Sequence, residues 1–214
     1  GCQTEVTDNI TVQLPQFREI AIKSIVDSKF FIEKRKEISG IHELNPAAKK
    51  IDLHLSSPTL EDNYSDLKRI ERQLHEKLPI KKLSCEYSVL KKLAHVVRED
   101  KGKISVILFL AEGDTTIIDV VPQSAKKKMY GIACDIGTTT VALHLVNLRN
   151  GKIESTSSSL NQQITCGEDV ISRINYAQKP ERLKKLNDLI ILTINKLIEK
   201  AKTSARISPE NIYF

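Results

Sequence analysis

The sequence predicts an α/β protein built from two consecutive parts, and three observations favour this fold class. Apolar and polar residues alternate in several short runs between residues 45 and 160, as in half-buried strands. Elsewhere, apolar residues recur at spacings of three and four, as on one face of a helix. The lysine run Lys126–Lys128 separates two stretches of different character. With 214 residues, 40% of them hydrophobic, the chain can form packed cores and is not a wholly disordered protein.

Residues 1–44 give the weakest signal of secondary structure. Ile10, Val12 and Leu14 alternate with polar residues and predict a short strand that ends at Pro15. The mixed stretch that follows favours neither strands nor a helix. We expect these residues to serve as a connector that packs against a neighbouring domain.

Residues 45–125 are predicted to form a small α+β unit of three strands and two helices. A strand is expected over Ile51–Leu55, and Ser57-Pro58 is typical of an N-cap followed by a helix, here one that ends before Pro79. A second helix is predicted from Ser84 to about Val97. Two β-rich runs joined through Glu112-Gly113-Asp114 predict a hairpin, and they comprise Lys103–Leu110 and Thr115–Val121.

Residues 126–214 are predicted to begin with a solvated lysine linker and to continue as strands followed by helices. Strands are expected over Tyr130–Asp135 and Val141–Leu148, and Asn150-Gly151 predicts a type I′ hairpin turn into a third strand. The helices are expected over Gly167–Tyr176 and Glu181–Thr203. An apolar strand is expected to start at Ile212-Tyr213-Phe214, and since the chain also lacks an initial Met, we expect a fragment of a longer protein.

Charge and composition narrow the classes of function. The net charge is +6, and the excess of basic residues lies after residue 125, where it could attract phosphate or an acidic partner or form a solvated surface. Only 5% of the residues are aromatic and none is Trp, so nucleic-acid binding by base stacking is not expected. No apolar run approaches the ~20 residues of a membrane span. A soluble, cytoplasmic protein without a membrane or nucleic-acid partner is the expectation.

The four cysteines do not form a recognisable metal motif. Cys2, Cys85, Cys134 and Cys166 include no C-x-x-C pair, so neither a zinc site nor a thioredoxin-like motif is indicated. In a reducing compartment they are expected to be thiols. None of the five histidines has a metal-site spacing either.

The segment Gly131–Thr140 is the strongest candidate for chemistry. An apolar strand leads to Asp135, and a turn with one glycine and three threonines follows. Gly137 would allow backbone N–H groups to approach an anion, and the hydroxyls of Thr138, Thr139 and Thr140 can donate to phosphate oxygens. Asp135 could hold Mg²⁺ through water. An ordinary hairpin with a threonine-rich turn explains the same pattern, and neither a Walker A loop nor a G-x-G-x-x-G fingerprint is present.

The strand–Asp-Ile-Gly-Thr-Thr-Thr–strand element resembles the first phosphate motif of the superfamily that includes acetate kinase, sugar kinases, Hsp70 and actin (ASKHA). A longer pattern resembles the reductive activators of corrinoid proteins. That pattern consists of Tyr130–Val141, the Asn147–Gly151 hairpin, Leu160–Gln163 and Gly167–Ile174. Members of this family are similar in layout, with a plant-type 2Fe–2S domain, a linker, a middle domain and an ATP-binding domain. They use ATP to drive electron delivery to an inactive cobalt(II) corrinoid and so restore cobalt(I).

The resemblance implies a role for each part of the chain. Residues 1–44 would end the 2Fe–2S domain and form the linker, residues 45–125 would form an α+β middle domain, and residues 126–214 would begin an ATP-binding domain with a ribonuclease H-type fold. Cys2 in Gly1–Thr4 would be the fourth cluster ligand of the intact protein. The phosphates of ATP and its Mg²⁺ would lie at Asp135, Gly137, Thr138, Thr139 and Thr140.

The partners implied by the resemblance are a corrinoid protein or a corrinoid-dependent methyltransferase, and an electron donor; a homodimer stays open. Because the other cluster cysteines and the second phosphate motif are missing, the fragment is expected to be inactive alone. Glu168 and Asp169 could stabilise a helix N-terminus or act on Mg²⁺ and water. Two other functions remain open: a small-molecule kinase of the same superfamily, and a non-catalytic interaction module.

Overall fold

Two β-sheets follow one another along the chain in the computed structural model, which describes residues 44–112 and 114–213. The strand predicted over residues 9–14 and the proposed ligand Cys2 lie outside these described residues. The first sheet has the order β1-β3-β4-β2. Its strands are β1 Ala48–His54, β2 Lys82–Cys85, β3 Lys103–Leu110 and β4 Asp114–Pro122, and its helices are α1 Asp66–Lys77 and α2 Tyr87–Glu99.

The first core lies between this sheet and its two helices. Alternate residues of β1 face the core, and α1 and α2 each present one apolar side to it. β3 runs antiparallel to both β1 and β4, which confirms the hairpin predicted from the sequence. The buried residues of this core are Leu53, Leu55, Ile70, Leu74, Val89, Leu93, Val96, Val97, Ile104, Val106, Leu108, Ile117 and Val120.

The first helix starts later than the sequence pattern predicts. Ser65, and not Ser57, is the N-cap: its hydroxyl accepts the N–H of Lys68 at 3.3 Å. Residues 56–64 remain outside the helix because the guanidinium of buried Arg69 donates to the carbonyl oxygens of Ser56 and Asp62, at 2.6 and 2.7 Å. The prediction of a helix beginning at Ser57-Pro58 is therefore wrong.

The first sheet also has one strand more than predicted. Lys82–Cys85 forms the strand β2, parallel to β4, so the second helix begins at Tyr87 and not at Ser84. Ser84 reaches the neighbouring strand through its hydroxyl, which lies 2.8 Å from that of Thr116. The four-residue strand is stabilised by this non-local pairing, which the local pattern does not reveal.

The second sheet has the order β5-β6-β7 and is antiparallel throughout. Its strands are β5 Tyr130–Ile136, β6 Thr140–Asn147 and β7 Ile153–Leu160, and its helices are α3 Val170–Tyr176 and α4 Pro180–Ala205. One side of α4 covers the sheet, and the buried residues of this second core are Tyr130, Val141, Leu143, Leu145, Leu197 and Ala201.

Two details of this part differ from the prediction. Asn150-Gly151 is not a type I′ turn, because that turn needs a positive φ at both residues and only Gly151 has one, at +69°. The chain crosses from β6 to β7 through the longer loop 148–152. In addition, residues 162–166 form a 3₁₀ turn, and the helix predicted from Gly167 begins at Val170.

The two sheets meet at a polar junction. Ile212 forms a parallel bridge with Tyr130 on the free edge of β5, and the next residue, Tyr213, donates its hydroxyl to Asp119 of β4 at 2.8 Å. Lys92 donates to the same carboxylate, and the Nζ of Lys127 lies 3.8 Å from it. The side chain of Lys127 is only 12% exposed, so the middle lysine of the run is packed and not solvated as predicted.

The structure confirms the predicted mixture of helices and strands in an α/β fold. Within residues 44–112 and 114–213, no helix is long and apolar enough to cross a membrane.

Candidate functional site

The predicted phosphate turn is the tight connection between β5 and β6. The two strands pair along their whole length, from Tyr130 opposite Asn147 to Ile136 opposite Val141. The N–H of Gly137 closes the turn by donating to the carbonyl oxygen of Thr140 at 2.9 Å. A Cβ atom added to Gly137 would lie 2.8 Å from that same oxygen, so a side chain here would force the turn to shift. The glycine is needed for close approach of the backbone.

The remaining carbonyl oxygens of the turn are held from behind by two polar residues. Asn161 donates from its Nδ2 to the oxygen of Gly137 at 2.9 Å and from its N–H to that of Thr139 at 2.8 Å. Arg173 donates from Nη2 to the oxygen of Thr138 at 2.6 Å. All four carbonyl oxygens from Gly137 to Thr140 therefore have donors from the protein.

The hydrogen-bond donors of the turn differ from its acceptors, because most of them are unpaired. Among the described residues, the N–H groups of Thr138 and Thr139 have no hydrogen-bond partner, and the same holds for the hydroxyls of all three threonines. Thr138 and Thr139 are exposed, and Thr140 is half-buried. A turn that has satisfied acceptors and unsatisfied, solvent-facing donors can bind an anion without first breaking protein hydrogen bonds.

Asp135 lies beside this turn with its carboxylate free for a ligand. The residue is exposed near the end of β5, and no ion pair joins it to the described part of the chain. Burial, and then the negative charge of Asp135, raises the pKa of the neighbouring Cys134 thiol. A carboxylate here can hold Mg²⁺ through water when a phosphate binds at the turn.

Asn161 and Arg173 are themselves fixed by neighbouring groups. The Oδ1 of Asn161 accepts the N–H of Gln163 at 3.0 Å, and the amide of Gln163 in turn donates to the carbonyl oxygen of Leu186 in α4. The Nε of Arg173 donates to the carbonyl oxygen of Gly167 at 2.9 Å. A Cβ on Gly167 would lie 2.9 Å from the backbone nitrogen of Arg173, so this glycine lets the chain pass close to α3.

The two acidic residues before α3 have separate environments. Asp169 is the N-cap of the helix: its Oδ1 accepts the N–H of Ser172 at 2.9 Å and its Oδ2 accepts the hydroxyl at 2.7 Å. These bonds, the backbone one first, lower the pKa of Asp169. Glu168 is exposed. The structural reading of Asp169 as a helix cap is thus supported by its contacts.

The described cysteines do not form a cluster site. Cys85 is in β2 and half-buried, Cys134 is exposed in β5, and Cys166 is buried at the end of the 3₁₀ turn; all three are free thiols. Over residues 44–112 and 114–213 there is no group of three or more His, Cys, Asp or Glu residues placed to hold a metal ion.

The structure thus brings Asp135, Gly137 and the three threonines together at one exposed end of the second sheet, whereas Cys2 lies outside the described residues. Sequence reasoning did not identify Asn161, Gly167 and Arg173 as parts of this site. The available signal was their position in the Leu160–Gln163 and Gly167–Ile174 segments of the longer pattern.

Comparison with known proteins places both sheets in one family. The family model described as RACo linker region matches residues 40–127, and the one described as RACo middle region matches residues 130–214. The corrinoid activation enzyme RamQ of Eubacterium limosum is 40% identical over 131 residues, which are 60% of this chain and 21% of that protein.

A solved reductive activator for corrinoid,iron-sulfur protein is 32% identical in sequence and superimposes with a TM-score of 0.73. The alignment covers 84% of this chain and 30% of that one, so the chain spans well under half the length of both relatives. Two adjacent region models of one family and both relatives agree, and the chain therefore belongs to the RACo family of corrinoid reductive activators.

Proposed function

We propose that this chain is part of an ATP-dependent reductive activator that returns a cobalt(II) corrinoid protein to cobalt(I). The observation that carries the proposal is the open turn at Gly137–Thr140, where the acceptors are satisfied and the donors face solvent beside the free carboxylate of Asp135. The relatives named for corrinoid activation support the redox part of the proposal.

The residues of the turn fit a nucleotide phosphate bound with Mg²⁺. The N–H groups of Thr138 and Thr139 would donate to phosphate oxygens, and the threonine hydroxyls would add further donors. Asp135 would hold the hydrated cation, since Mg²⁺ loses its water reluctantly. When bound, ATP supplies the free energy that biases one arrangement of the domains over another.

The topology of the second sheet supports its assignment to an ATP-binding domain of the ASKHA type. Three antiparallel strands are followed by helices, and the chain then returns at Ile212 in parallel with the first of these strands. In this proposal residues 126–214 begin that domain, and the family model over 130–214 is described as the RACo middle region. Residues 45–125, expected from the resemblance to be the middle domain, form the preceding α+β domain and match the model described as the linker region. Residues 1–44 would lead from the 2Fe–2S domain.

The electron would come from a 2Fe–2S cluster of the intact protein, with Cys2 as one ligand. When bound, that cluster would supply one-electron chemistry for the substrate cobalt, and a separate electron donor would be a further partner. The described cysteines do not supply such a site, because they are dispersed over two sheets and a 3₁₀ turn and a cluster needs four ligands together. The partner would be a corrinoid protein or a corrinoid-dependent methyltransferase.

The first test is Mg·ATP binding by a longer protein that contains this segment and the rest of the ATP-binding domain. Asp135→Ala and Gly137→Val are each expected to abolish binding measured by titration calorimetry. Asp188→Ala is the matched control, since Asp188 is an exposed carboxylate on α4 that pairs with Lys184 at 2.6 Å. Unchanged affinity in both site variants would refute the phosphate assignment.

The 214-residue chain itself is expected to bind ATP weakly or not at all and to contain no iron. Micromolar binding of ATP by this chain would contradict the view that further residues complete the site. Transfer of phosphate from ATP to a small molecule by the longer protein would instead favour the kinase alternative.

A further inference from the structure

The protein has two buried arginines in its described residues, and they differ in one respect. Arg69 has a counter-ion, because its Nη2 lies 3.0 Å from a carboxylate oxygen of Asp62. Arg173 is only 8% exposed and forms no contact ion pair among the described residues; Asp169 interacts with it at longer range, since the charge of Arg173 helps to lower the pKa of that carboxyl. Its hydrogen bonds go to neutral oxygens, those of Thr138, Gly167 and Gln163.

A buried cation that lacks a contact ion pair is costly, since charges removed from water are normally paired directly. Arg173 lies directly behind the turn whose unpaired donors face solvent. An anion bound on the other side of that turn would therefore add to the partial compensation that Asp169 gives this positive charge.

The hydrogen bonds of the turn add a second, geometric argument. A peptide carbonyl that pointed toward a phosphate would repel it, because both carry negative charge. Arg173 holds the oxygen of Thr138 away from the open side, and Asn161 does the same for Gly137 and Thr139. With these oxygens fixed, the N–H groups of Thr138 and Thr139 are left free to donate.

We propose that Arg173 and Asn161 are positioning residues for an anionic ligand of phosphate type: they fix the turn from behind through their hydrogen bonds, and Arg173 adds a nearby positive charge. This inference rests on the proposed function of the turn. It predicts that neither side chain needs to touch the ligand, and that both nevertheless determine how strongly the ligand binds.

The test follows the backbone amide signals of the full 214-residue chain by NMR during titration with inorganic phosphate in the millimolar range. In the wild-type protein, the amides of Thr138 and Thr139 are expected to shift. Arg173→Met keeps the length of the side chain and removes its charge, and it should weaken phosphate binding about tenfold, because both the nearby positive charge and the bond that fixes the Thr138 carbonyl oxygen are lost. Asn161→Asp replaces a donor with an acceptor and should also weaken binding.

Arg173→Lys and Arg182→Met separate positioning from general loss of structure. The lysine variant keeps the charge without the forked geometry, and it should bind phosphate more strongly than Arg173→Met at equal thermal stability. Arg182 stacks on the ring of Tyr176 at 5.3 Å on the neighbouring helix, so Arg182→Met should leave phosphate affinity unchanged.

Three results would overturn the inference, and they differ from one another. If Arg173→Met binds phosphate as the wild type does, the positioning role is wrong and the proposed function stands. If the lysine and methionine variants lose affinity only in proportion to lost stability, Arg173 is merely structural. If the wild-type amides do not respond to millimolar phosphate, the inference is wrong, whereas the phosphate site of the proposed function, which further residues complete, is decided by the Mg·ATP titration of the longer protein.

Discussion

Replacing Tyr213 with phenylalanine would remove one hydroxyl from the junction between the two sheets. In the native protein this hydroxyl donates to Asp119 at 2.8 Å, and the carboxylate is only 14% exposed. The ring would remain near Lys127, whose Nζ lies 5.9 Å from its centre. The substitution therefore tests the hydrogen bond with little change in packing.

The expected loss of stability follows from the charge and burial of the acceptor. Hydrogen bonds to charged groups contribute roughly 1.5–3 kcal/mol. Asp119 keeps two lysines as partners after the substitution, so the lower end, ~1.5 kcal/mol, is the expectation. For a domain of this size, that corresponds to a fall in Tm of roughly 3–6 °C.

The assay is thermal unfolding followed by circular dichroism, with Tyr87→Phe as the control because Tyr87 is 75% exposed. Burial and then Asp119 raise the pKa of the Tyr213 hydroxyl. The stabilisation should thus be complete below about pH 10, the usual tyrosine value, and decline as the pH rises further. Equal Tm values for wild type and Tyr213→Phe near neutral pH would refute this account of the junction.

Three further predictions concern single sites. Arg69→Ala should lower the free energy of unfolding by ~3 kcal/mol, since it leaves three carbonyl oxygens and the carboxylate of Asp62 without their buried donor. Chemical denaturation would measure this change, and a loss below ~1 kcal/mol would contradict the prediction. Asp135→Asn should speed alkylation of exposed Cys134 near neutral pH, because it removes the negative charge that helps to raise the pKa of the Cys134 thiol. An unchanged alkylation rate would show that burial alone controls the reactivity of this thiol. The stability supplied by Asp169 should be present above its unfolded pKa of about 3.8 and be lost as the pH falls through its lower pKa in the folded protein. In thermal unfolding, Asp169→Asn should lack this acid-dependent loss.

Local patterns predicted those features that depend on neighbouring residues. The hairpin of β3 and β4, the long helix α4 and the turn after Asp135 all have strong short-range signals, and the structure contains each of them. The position of this turn was predictable because Gly137 stands between two β-rich runs. Its unpaired donors were not, because the same residues fit an ordinary hairpin.

Features that depend on distant residues were not predictable in this way. Ser57-Pro58 is a good helix start locally, but Arg69 draws the following segment into a loop by binding its carbonyl oxygens. The strand β2 exists because β4 pairs with it about thirty residues later. Likewise, the hydrogen bond from Arg173 to Thr138 joins residues 35 positions apart, and no periodic pattern in the sequence reveals it.

The two ends of strand β5 have different surroundings. Tyr130 lies at the junction between the two sheets, and Ile136 adjoins the turn at Gly137–Thr140. At ~3.4 Å per residue these ends are roughly 20 Å apart. The strand is stiffened along this whole span by its ladder with β6. A displacement of the threonine turn would consequently be transmitted along β5 to Tyr130. The strand therefore couples the turn mechanically to the junction between the two sheets.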